Sequence, residues 1–267
     1  MATLVREPPR VAVVTPTLDM ARFLGETVES VLSQDYPHLD YLVMDGGSRD
    51  GSVELLRGYA DRLRFVSEPD AGQADAVNRG FGRTQSDIFT FLNADDTYRR
   101  GAVSAAVEAL ERQPAAGVVY GEADYVDDRG SVVGPYPTRP FDARLLAEEC
   151  YICQPAAFVR RRVWSAAGGL DARFHFAFDY DLWIRLSRIV PFVHLQRPLA
   201  TSRMHRQNKT LGSRGAHYRE VIAVLKRHYG RVPMRWLDDY AAHLVDGVDQ
   251  FYEHSHLGRR ARGLALA

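Results

Sequence analysis

Hydrophobic positions in the first half of the chain follow two alternating spacings. Short apolar runs rich in β-branched residues, which favour buried strands, lie at 11–15, 41–44, 64–67, 88–92 and 117–120. Between them, apolar residues recur every three or four positions, as along a helix that buries one face, over about 23–34, 52–59, 74–81 and 101–112. Strand, turn and helix repeated in this order predict parallel strands joined by right-handed crossovers, and therefore an α/β fold.

The predicted strands end in polar or glycine-rich segments. Four of these segments are Thr15-Pro16-Thr17, Asp45-Gly46-Gly47, Glu68-Pro69-Asp70 and Asn93-Ala94-Asp95-Asp96. The carboxyl ends of parallel strands meet at one edge of a sheet, where α/β folds bind ligands. Hard cations such as Mg²⁺ take one or two carboxylates together with the oxygens of a substrate phosphate. Taken alone, the segment 93–96 fits a turn and helix cap equally well, but four such segments at one edge predict a nucleotide site.

The second half of the chain has a different pattern. A proline-rich loop at 135–140 ends the alternation, and a strand-like run with a short helix follows Gln154 until the glycine pair 168–169. Asp179 precedes apolar residues at helical spacing over 182–186, so we expect it near the N-cap of a helix. Capping by itself would account for Asp179, at ~1 kcal/mol.

The chain is then predicted to close with two strands and two amphipathic helices. The strands cover 192–195 and 199–204 and lead to His205, and the helices cover 216–228 and 236–252. A lone histidine is more often structural than a ligand. The aromatic residues of the two helices are expected to pack on the core, with a homodimer contact as the alternative.

Composition restricts the class of protein. With 267 residues, 46% hydrophobic and 25% charged, the chain is long enough for one large α/β domain with an appendage. The formal net charge of +0, from 34 basic and 34 acidic residues, argues against nucleic acid as a partner. No long apolar run or signal-peptide core is present, so we expect a cytoplasmic protein. The basic residues at 259–262 predict a solvated tail, with peripheral contact to anionic lipid as the alternative.

Other common sites are disfavoured. Cys150 and Cys153 form a C-x-x-C pair without a second metal half-site or a thioredoxin context, so two reduced thiols are expected. The chain also lacks the Gly-x-Gly-x-x-Gly and Gly-Lys-Ser/Thr loops of dinucleotide and P-loop sites.

In their order and spacing, seven segments resemble the family-two inverting glycosyltransferases of the GT-A fold. They are VVTPTLDMARFLGETVESVLSQDYP, DGGSRDGS, SEPDAGQADAVNRGF, LNADD, QPAAFVRR, FDYDLWIRL and MHRQNKT. The resemblance spans about 11–210 and implies a mostly parallel central sheet flanked by helices. It implies a catalytic domain over 1–210 and a C-terminal helical extension over 211–267. Within the domain, about 10–120 would bind the nucleotide sugar and 121–210 the acceptor.

The same resemblance implies roles for particular residues on the donor side. Asp45 matches the acid that binds the base or ribose, and Asp95 matches the metal-binding acid of the DxD motif, with Asp96 reaching toward the donor. The first acid position of that motif is Asn93, whose amide coordinates without contributing charge. The remaining donor-binding positions implied are Pro16, Thr17, Asp19, Asp70, Gly72, Asp75, Asn78, Arg79 and Ala94.

On the acceptor side, Asp179 matches the catalytic base of the family, although the preceding position, commonly Glu, is Phe178. Asp181 is the alternative base, and Asp181 and Gln154 are expected beside the donor sugar and acceptor. His205 matches a position that completes the metal or diphosphate site, and an imidazole suits Mn²⁺ better than Mg²⁺. In such a displacement the metal neutralises the leaving diphosphate and a carboxylate accepts the acceptor's proton.

The function implied is metal-dependent transfer of a sugar from a nucleoside diphosphate, with UDP favoured, to a glycan or lipid-linked acceptor in cell-surface glycan or polysaccharide biosynthesis. The enzyme would work in the cytoplasm or at the inner membrane surface. One alternative is an inactive sugar-nucleotide-binding module, which Asn93 and Phe178 would suggest. The other is a sugar-phosphate nucleotidyltransferase, which needs a basic loop after the first strand, where only Arg22 is present.

Overall fold

The computed structural model describes residues 7–205 and 208–246, so the basic residues at 259–262 and the end of the last predicted helix lie outside the described residues. The strands are β1 (Val11–Thr17), β2 (Leu39–Asp45), β3 (Arg64–Ser67), β4 (Ile88–Phe91), β5 (Thr97–Tyr98), β6 (Val118–Val126), β7 (Val132–Pro135), β8 (Ala157–Arg160) and β9 (Phe192–Arg203). The helices of the first half are α1 (Ala21–Leu32), α2 (Ser52–Arg57), α3 (Gln73–Gly82) and α4 (Ala102–Arg112). Those of the second half are α5 (Leu145–Glu148), α6 (Arg161–Ala167), α7 (Phe178–Ser187), α8 (Lys209–Gly212), α9 (Arg214–Tyr229) and α10 (Met234–Asp246).

Within the described residues the strands form one mixed sheet. Its order is β3-β2-β1-β4-β8-β6-β9-β5, with β7 paired to β6. The four strands β3-β2-β1-β4 are parallel, which confirms the prediction for the first four strands, whereas the fifth predicted strand, β6, does not pair with any of them. Beyond them β8 runs antiparallel to both β4 and β6, while β6 and β9 are parallel. The α/β fold is therefore confirmed, and each antiparallel pair of the described strands includes β7, β8 or β9.

The break predicted between strands at 192–195 and 199–204 is wrong, because β9 is one continuous strand over Phe192–Arg203. Its pairing with β6 shifts register around Glu122, where Pro198 lies opposite. A proline lacks the N–H that a regular ladder needs, and an irregularity of this kind accommodates it without ending the strand.

The core lies on both faces of the sheet. Along β1, Val11 and Val13 are buried on the face covered by α1, α2 and α4, while Ala12 and Val14 are buried on the face covered by α3, α6, α7 and α9. A strand buried on both faces reads as an unbroken apolar run, which is why 11–15 is recognisable in the sequence.

The C-terminal helix α9 belongs to this core. Val221, Val224 and Leu225 are buried in the same cluster as the apolar side chains of α7. Tyr229 and Trp236 pack against that cluster, which confirms the expected core packing for these two aromatic residues. The boundary between 210 and 211 stays a prediction. Among the described helices, none is long and apolar enough to cross a bilayer.

Candidate active site

The loop after β1 is tied to the glycine-rich loop after β2. Asp19 has a left-handed backbone, with φ of 51°, and its carboxylate accepts a hydrogen bond from the Arg49 N–H at 2.7 Å. Its own N–H donates to the Ser48 hydroxyl at 2.8 Å. Asp50 similarly accepts from the Ala21 N–H at 2.8 Å. The side chain of Asp19 therefore joins two loops at the carboxyl edge of the sheet.

Thr17 ends β1, directly after Pro16, and differs from these acids. Its side chain is buried, and its Oγ1 has no hydrogen-bond partner among the described residues. A buried hydroxyl without a partner costs free energy unless a ligand or water supplies one. Thr17 is thus placed as a candidate contact for a nucleotide at the edge of the sheet.

Asp45, at the end of β2, is 1% exposed. Its carboxylate accepts hydrogen bonds from Ser67 Oγ at 2.6 Å, from the Ser48 N–H at 3.1 Å and from the Gly47 N–H at 3.2 Å. These donors hold the glycine-rich loop against β3. The predicted contact of Asp45 with the base or ribose stays a prediction.

The acids before and within α3 shape the start of that helix. Asp70 accepts a hydrogen bond from the Gly72 N–H at 2.8 Å, and Gly72 has φ of 109°, a conformation that favours glycine. Asp75, in the first turn, accepts from the Ala71 N–H at 3.1 Å. Both carboxylates accept hydrogen bonds from N–H groups that precede the helix and have no acceptor within it.

Asn78 and Arg79 are used inside the protein. The Asn78 side chain donates to the Leu170 carbonyl at 2.8 Å and accepts from the Leu170 N–H at 2.9 Å, which links α3 to the segment after α6. Arg79 forms an ion pair with Glu68 and donates to the Pro69 carbonyl at 3.2 Å. The geometry therefore gives both side chains structural roles at the positions predicted to flank the nucleotide.

The segment after β4 forms a tight polar turn around Asp96, which is 3% exposed. Its carboxylate accepts hydrogen bonds from the Arg203 N–H at 2.9 Å and from Asn93 Nδ2 at 3.0 Å. Burial, with the charge of Asp95 beside it, raises the pKa of Asp96 well above its usual range. Asn93 also accepts from Gln73 Nε2, so its amide organises the turn. Ala94 is buried in the hydrophobic core.

Asp95 and His205 meet directly. The carboxylate Oδ2 lies 3.0 Å from the imidazole Nε2, and both residues are buried. The Phe23 ring packs against His205 with centroids 4.6 Å apart. Two potential ligands, from the segments that follow β4 and β9, are thus brought together, as the resemblance implied.

The donor set of this pair fits a divalent cation. No group of three His, Cys, Asp or Glu side chains in residues 7–205 and 208–246 is arranged to hold a metal by itself. Mg²⁺ and Mn²⁺ in phosphate-binding sites commonly use one or two protein ligands and complete their shell with phosphate oxygens and water. Asp95 and His205 supply two such ligands at one point.

Arg203 supports the pair and was missed by sequence reasoning. This side chain is 2% exposed, lies over the Phe23 ring at 4.9 Å and pairs with Glu26. Its Nε donates to the Asp95 carbonyl at 2.8 Å. The sequence feature that could have indicated this role is the position of the arginine, two residues before the candidate ligand His205.

Asp179 lies in the first turn of α7, and the N-cap is Ala177, so the predicted capping position was wrong by two residues. Its carboxylate accepts from the Tyr180 N–H at 2.8 Å. Burial raises the pKa of Asp179 to about 6, opposed in part by the charge of Lys209. A carboxylate with that pKa is ionised at neutral pH and is still a useful proton acceptor.

Asp181 is not placed beside Asp179. It is fully buried between α7 and α9, where it lies 2.7 Å from His228 Nε2 and accepts from Arg185 Nε at 2.7 Å. Two residues along a helix the side chain points to a different face, so Asp181 joins helices while Asp179 faces the site.

A cavity of about 420 Å³ brings together four of the predicted residues: Asn93, Asp96, Gln154 and Asp179. Gln154 is 8% exposed, and its Nε2 donates to the Phe91 carbonyl at 2.6 Å. Its Oε1 has no partner among the described residues. Cys150 and Cys153, both free thiols as expected, also line this cavity.

A larger, open hollow of about 570 Å³ at the β3 edge has none of the predicted site residues in its lining.

The far wall of this cavity comes from the C-terminal helices. Tyr218 on α9 and Trp236 on α10 line it, together with Tyr136 from the loop after β7. These aromatic residues were missed as site residues, because an amphipathic pattern shows that a helix has a buried face without showing what that face contacts.

Residues 12–167, more than half of the 267 residues, match the family described as glycosyl transferase family 2. The chain belongs to glycosyl transferase family 2. Similar family members include the chondroitin synthase of Escherichia coli, 25% identical over 213 residues that cover 79% of this chain and 31% of that protein. The hyaluronan synthase of Pasteurella multocida is 23% identical over 230 residues, covering 85% of this chain and 24% of that protein. This chain thus spans about a third or less of either synthase.

Solved structures of glycosyltransferases share the fold of this family-2 protein. The mannosyltransferase PcManGT from Pyrobaculum calidifontis, solved with GDP-Man and Mn²⁺, has a TM-score of 0.66 and 21% identity, covering 97% of this chain and 80% of that one. S. aureus TarS 1–349, solved with UDP-GlcNAc, has a TM-score of 0.67 and 13% identity, covering 88% and 73%. The GT-A fold expected from the sequence is confirmed.

Proposed function

We propose that this protein transfers a sugar, with inversion, from a nucleoside diphosphate sugar to a hydroxyl acceptor, and that Asp179 is the base. The observation that carries the proposal is the position of Asp179, whose pKa is raised to about 6, in the same cavity as Asn93 and Asp96. The pKa suits a general base at neutral pH. The family assignment supplies the reaction class.

A UDP-sugar is the favoured donor. Structures of S. aureus TarS hold UDP and UDP-GlcNAc, whereas PcManGT holds GDP-Man. All three ligands are nucleoside diphosphates or their sugars, which supports a nucleoside diphosphate sugar as the donor. The hydroxyl of Thr17, without a partner among the described residues, is available to such a ligand.

Asp95 and His205 would hold a divalent cation beside the donor diphosphate. When bound, that cation supplies charge neutralisation for the leaving group. Asn93 and Arg203 keep the turn in place through their hydrogen bonds to Asp96 and to the Asp95 carbonyl. The protein's own contribution at this point is a fixed geometry for the donor.

In the reacting complex, the acceptor hydroxyl oxygen forms a bond to the anomeric carbon as the bond from that carbon to the diphosphate oxygen breaks. The acceptor proton passes to the Asp179 carboxylate, and the electron pair of the broken bond leaves with the diphosphate. Displacement from the opposite face inverts the anomeric centre.

We assign the pathway to cell-surface glycan or polysaccharide synthesis, in line with the synthases that the chain resembles.

The geometry also weighs against the nucleotidyltransferase alternative. That reaction needs a cation for a triphosphate in the loop after β1, and Arg22 is instead paired with Asp128 at 2.8 Å. Arg22, the basic residue that follows β1, therefore lies in α1 and forms an exposed ion pair.

The deciding experiment is calorimetric titration of UDP, GDP, dTDP and NAD, each with and without Mn²⁺, together with turnover of the nucleotide sugar that binds. We expect UDP to bind in a metal-dependent manner, and Asp179→Asn to bind UDP normally while losing roughly 10²–10⁴-fold in kcat. Full turnover by Asp179→Asn would remove Asp179 as the base. Binding of no nucleotide under any condition would overturn the proposed function.

A further inference from the structure

The cavity that contains Asp179 extends away from the donor turn toward α9 and α10. Asn93 and Asp96 of the turn after β4 line it, and Tyr136, Tyr218 and Trp236 contribute aromatic side chains to its wall. Burial raises the pKa of Tyr136, a shift that the charge of Asp179 reinforces. The aromatic wall and the candidate base thus belong to one space.

Gln154 Oε1 and His217 Nδ1 are among the polar atoms of this wall that have no hydrogen-bond partner in the described residues. Gln154 is fixed by its hydrogen bond to the Phe91 carbonyl, so its oxygen is free to accept from a ligand. Burial and the nearby charge of Arg214 lower the pKa of His217 to about 4, which keeps the imidazole neutral. A neutral amide and a neutral imidazole are suited to hydroxyl groups.

The charged side chains of the wall are of both signs. Arg235 pairs with Glu149 at 2.8 Å, and Arg214 lines the wall together with the carboxylate of Asp239. A site for a phosphate headgroup would instead collect cations around one point. Aromatic faces combined with uncharged hydrogen-bonding groups are suited to a ring that carries both C–H faces and hydroxyls.

We propose that this cavity is the acceptor subsite, that α9 and α10 form its outer wall, and that the acceptor is a saccharide whose ring packs on Tyr136, Tyr218 and Trp236. The proposal rests on the proposed function, because it takes Asp179 as the base for the acceptor hydroxyl. The oxygen of that hydroxyl bonds to the anomeric carbon of the donor, its proton goes to Asp179, and the nucleoside diphosphate leaves. It assigns the helices after residue 210 a part in acceptor choice.

The test uses the full chain saturated with UDP and Mn²⁺. The probes are the methyl β-glycosides of glucose, galactose, N-acetylglucosamine and glucuronic acid, with farnesyl phosphate as the lipid probe, and binding is followed by ligand-observed NMR. We expect at least one glycoside to bind saturably, and Trp236→Ala and Tyr136→Ala each to weaken that binding roughly tenfold. UDP affinity should be unchanged in both variants, which also shows that they are folded.

Tyr229→Ala is the matched control, because Tyr229 is an aromatic residue of α9 that does not line the cavity. It should leave glycoside binding unchanged. Binding of farnesyl phosphate alone, binding of no glycoside by a protein that binds UDP, or glycoside binding that both cavity variants leave intact would each overturn the acceptor proposal. Failure to bind UDP would instead overturn the proposed function, so the two failures are distinguishable.

Discussion

The carboxyl edge of β1–β4 and the cavity beneath α9 and α10 use their polar side chains differently. At the edge, Asp19, Asp45 and Asp70 accept hydrogen bonds from backbone N–H groups of the loops around them. In the cavity, Gln154 Oε1 and His217 Nδ1 have no partner among the described residues. Except for Thr17 Oγ1, which also has no partner among the described residues, the acids and hydroxyls of the edge named here are organised by the protein itself, whereas we propose that the cavity obtains part of its hydrogen bonding from a ligand.

This difference changes how an acid-rich loop is interpreted. A carboxylate that follows a strand is as able to accept the N–H groups of its own turn as those of a ligand. At the edge, the Asp95–His205 contact differs from the other acids because both partners are side chains with metal-binding atoms. Variants in the two regions are therefore expected to have different effects.

The largest effect on binding is expected from Asp95→Ala. Removing this carboxylate leaves His205 without its partner at 3.0 Å and takes away the charged member of the candidate metal pair. We expect the enhancement of UDP affinity by Mn²⁺ to disappear, a loss of roughly ten- to a hundredfold, in calorimetric titrations. Asp61→Ala, at an exposed loop acid, is the control. Unchanged metal dependence in Asp95→Ala would place the metal elsewhere.

Glu220→Gln tests how far α9 controls Asp179. The Glu220 carboxylate accepts hydrogen bonds from the N–H groups of His175, Phe176 and Ala177 at 2.9, 2.7 and 3.0 Å, directly before α7. Glutamine has one acceptor oxygen in place of two, so the start of α7 loosens. We expect kcat to fall roughly tenfold with the donor KM nearly unchanged.

The control for this variant is Glu54→Gln, an exposed glutamate of α2. Steady-state kinetics with varied donor separate the two possibilities. A rise in donor KM at constant kcat would mean that Glu220 acts on the donor side and does not position Asp179.

Asn78→Ala is expected to affect stability and leave the chemistry intact. Its amide makes two hydrogen bonds to the Leu170 backbone, and alanine leaves both backbone groups without their partner. We expect the free energy of unfolding to fall by about 1–3 kcal/mol in urea titrations, with the donor KM unchanged. A raised donor KM at normal stability would show instead that Asn78 contacts the nucleotide.

The parallel half of the fold was predictable because its signals are local. β3 was expected at 64–67 and is found there, since an apolar run between turn residues is sufficient to define a short strand. The insertion of β8 between β4 and β6 was not predictable, because strand pairing depends on contacts far apart in sequence. Spacing alone could not show that β9 continues through Pro198, since the register shift opposite it involves another strand.

The same distinction between local signals and long-range contacts applies to the residues of the candidate site. Asp95, His205 and Asp179 were predicted as site residues through their family motifs, each of which is contiguous in the chain. The structural use of Asn78 and the wall formed by Tyr218 and Trp236 could not be predicted, because both depend on which distant segment packs against a helix face. Motifs predict residues that the chemistry requires, and packing decides what surrounds them.

The smallest effect is expected from Lys209→Met, which changes the pH dependence of turnover. Lys209 donates to Gln73 at 3.3 Å, lies over the rings of Phe176 and Phe178, and its positive charge lowers the pKa of Asp179. Asp179 must be ionised to accept a proton, so activity should fall as the pH drops through about 6.

Without the Lys209 charge the Asp179 carboxylate is less stabilised, its pKa rises above 6, and the acidic limb of the kcat profile moves to higher pH. Activity well above that limb should be nearly unchanged, because Asp179 is ionised there in both proteins. Lys226→Met, at an exposed lysine of α9, should leave the limb in place. A limb that stays at the same pH in Lys209→Met would mean that the titration belongs to another group, and a limb that moves to lower pH would contradict the assigned sign of the interaction.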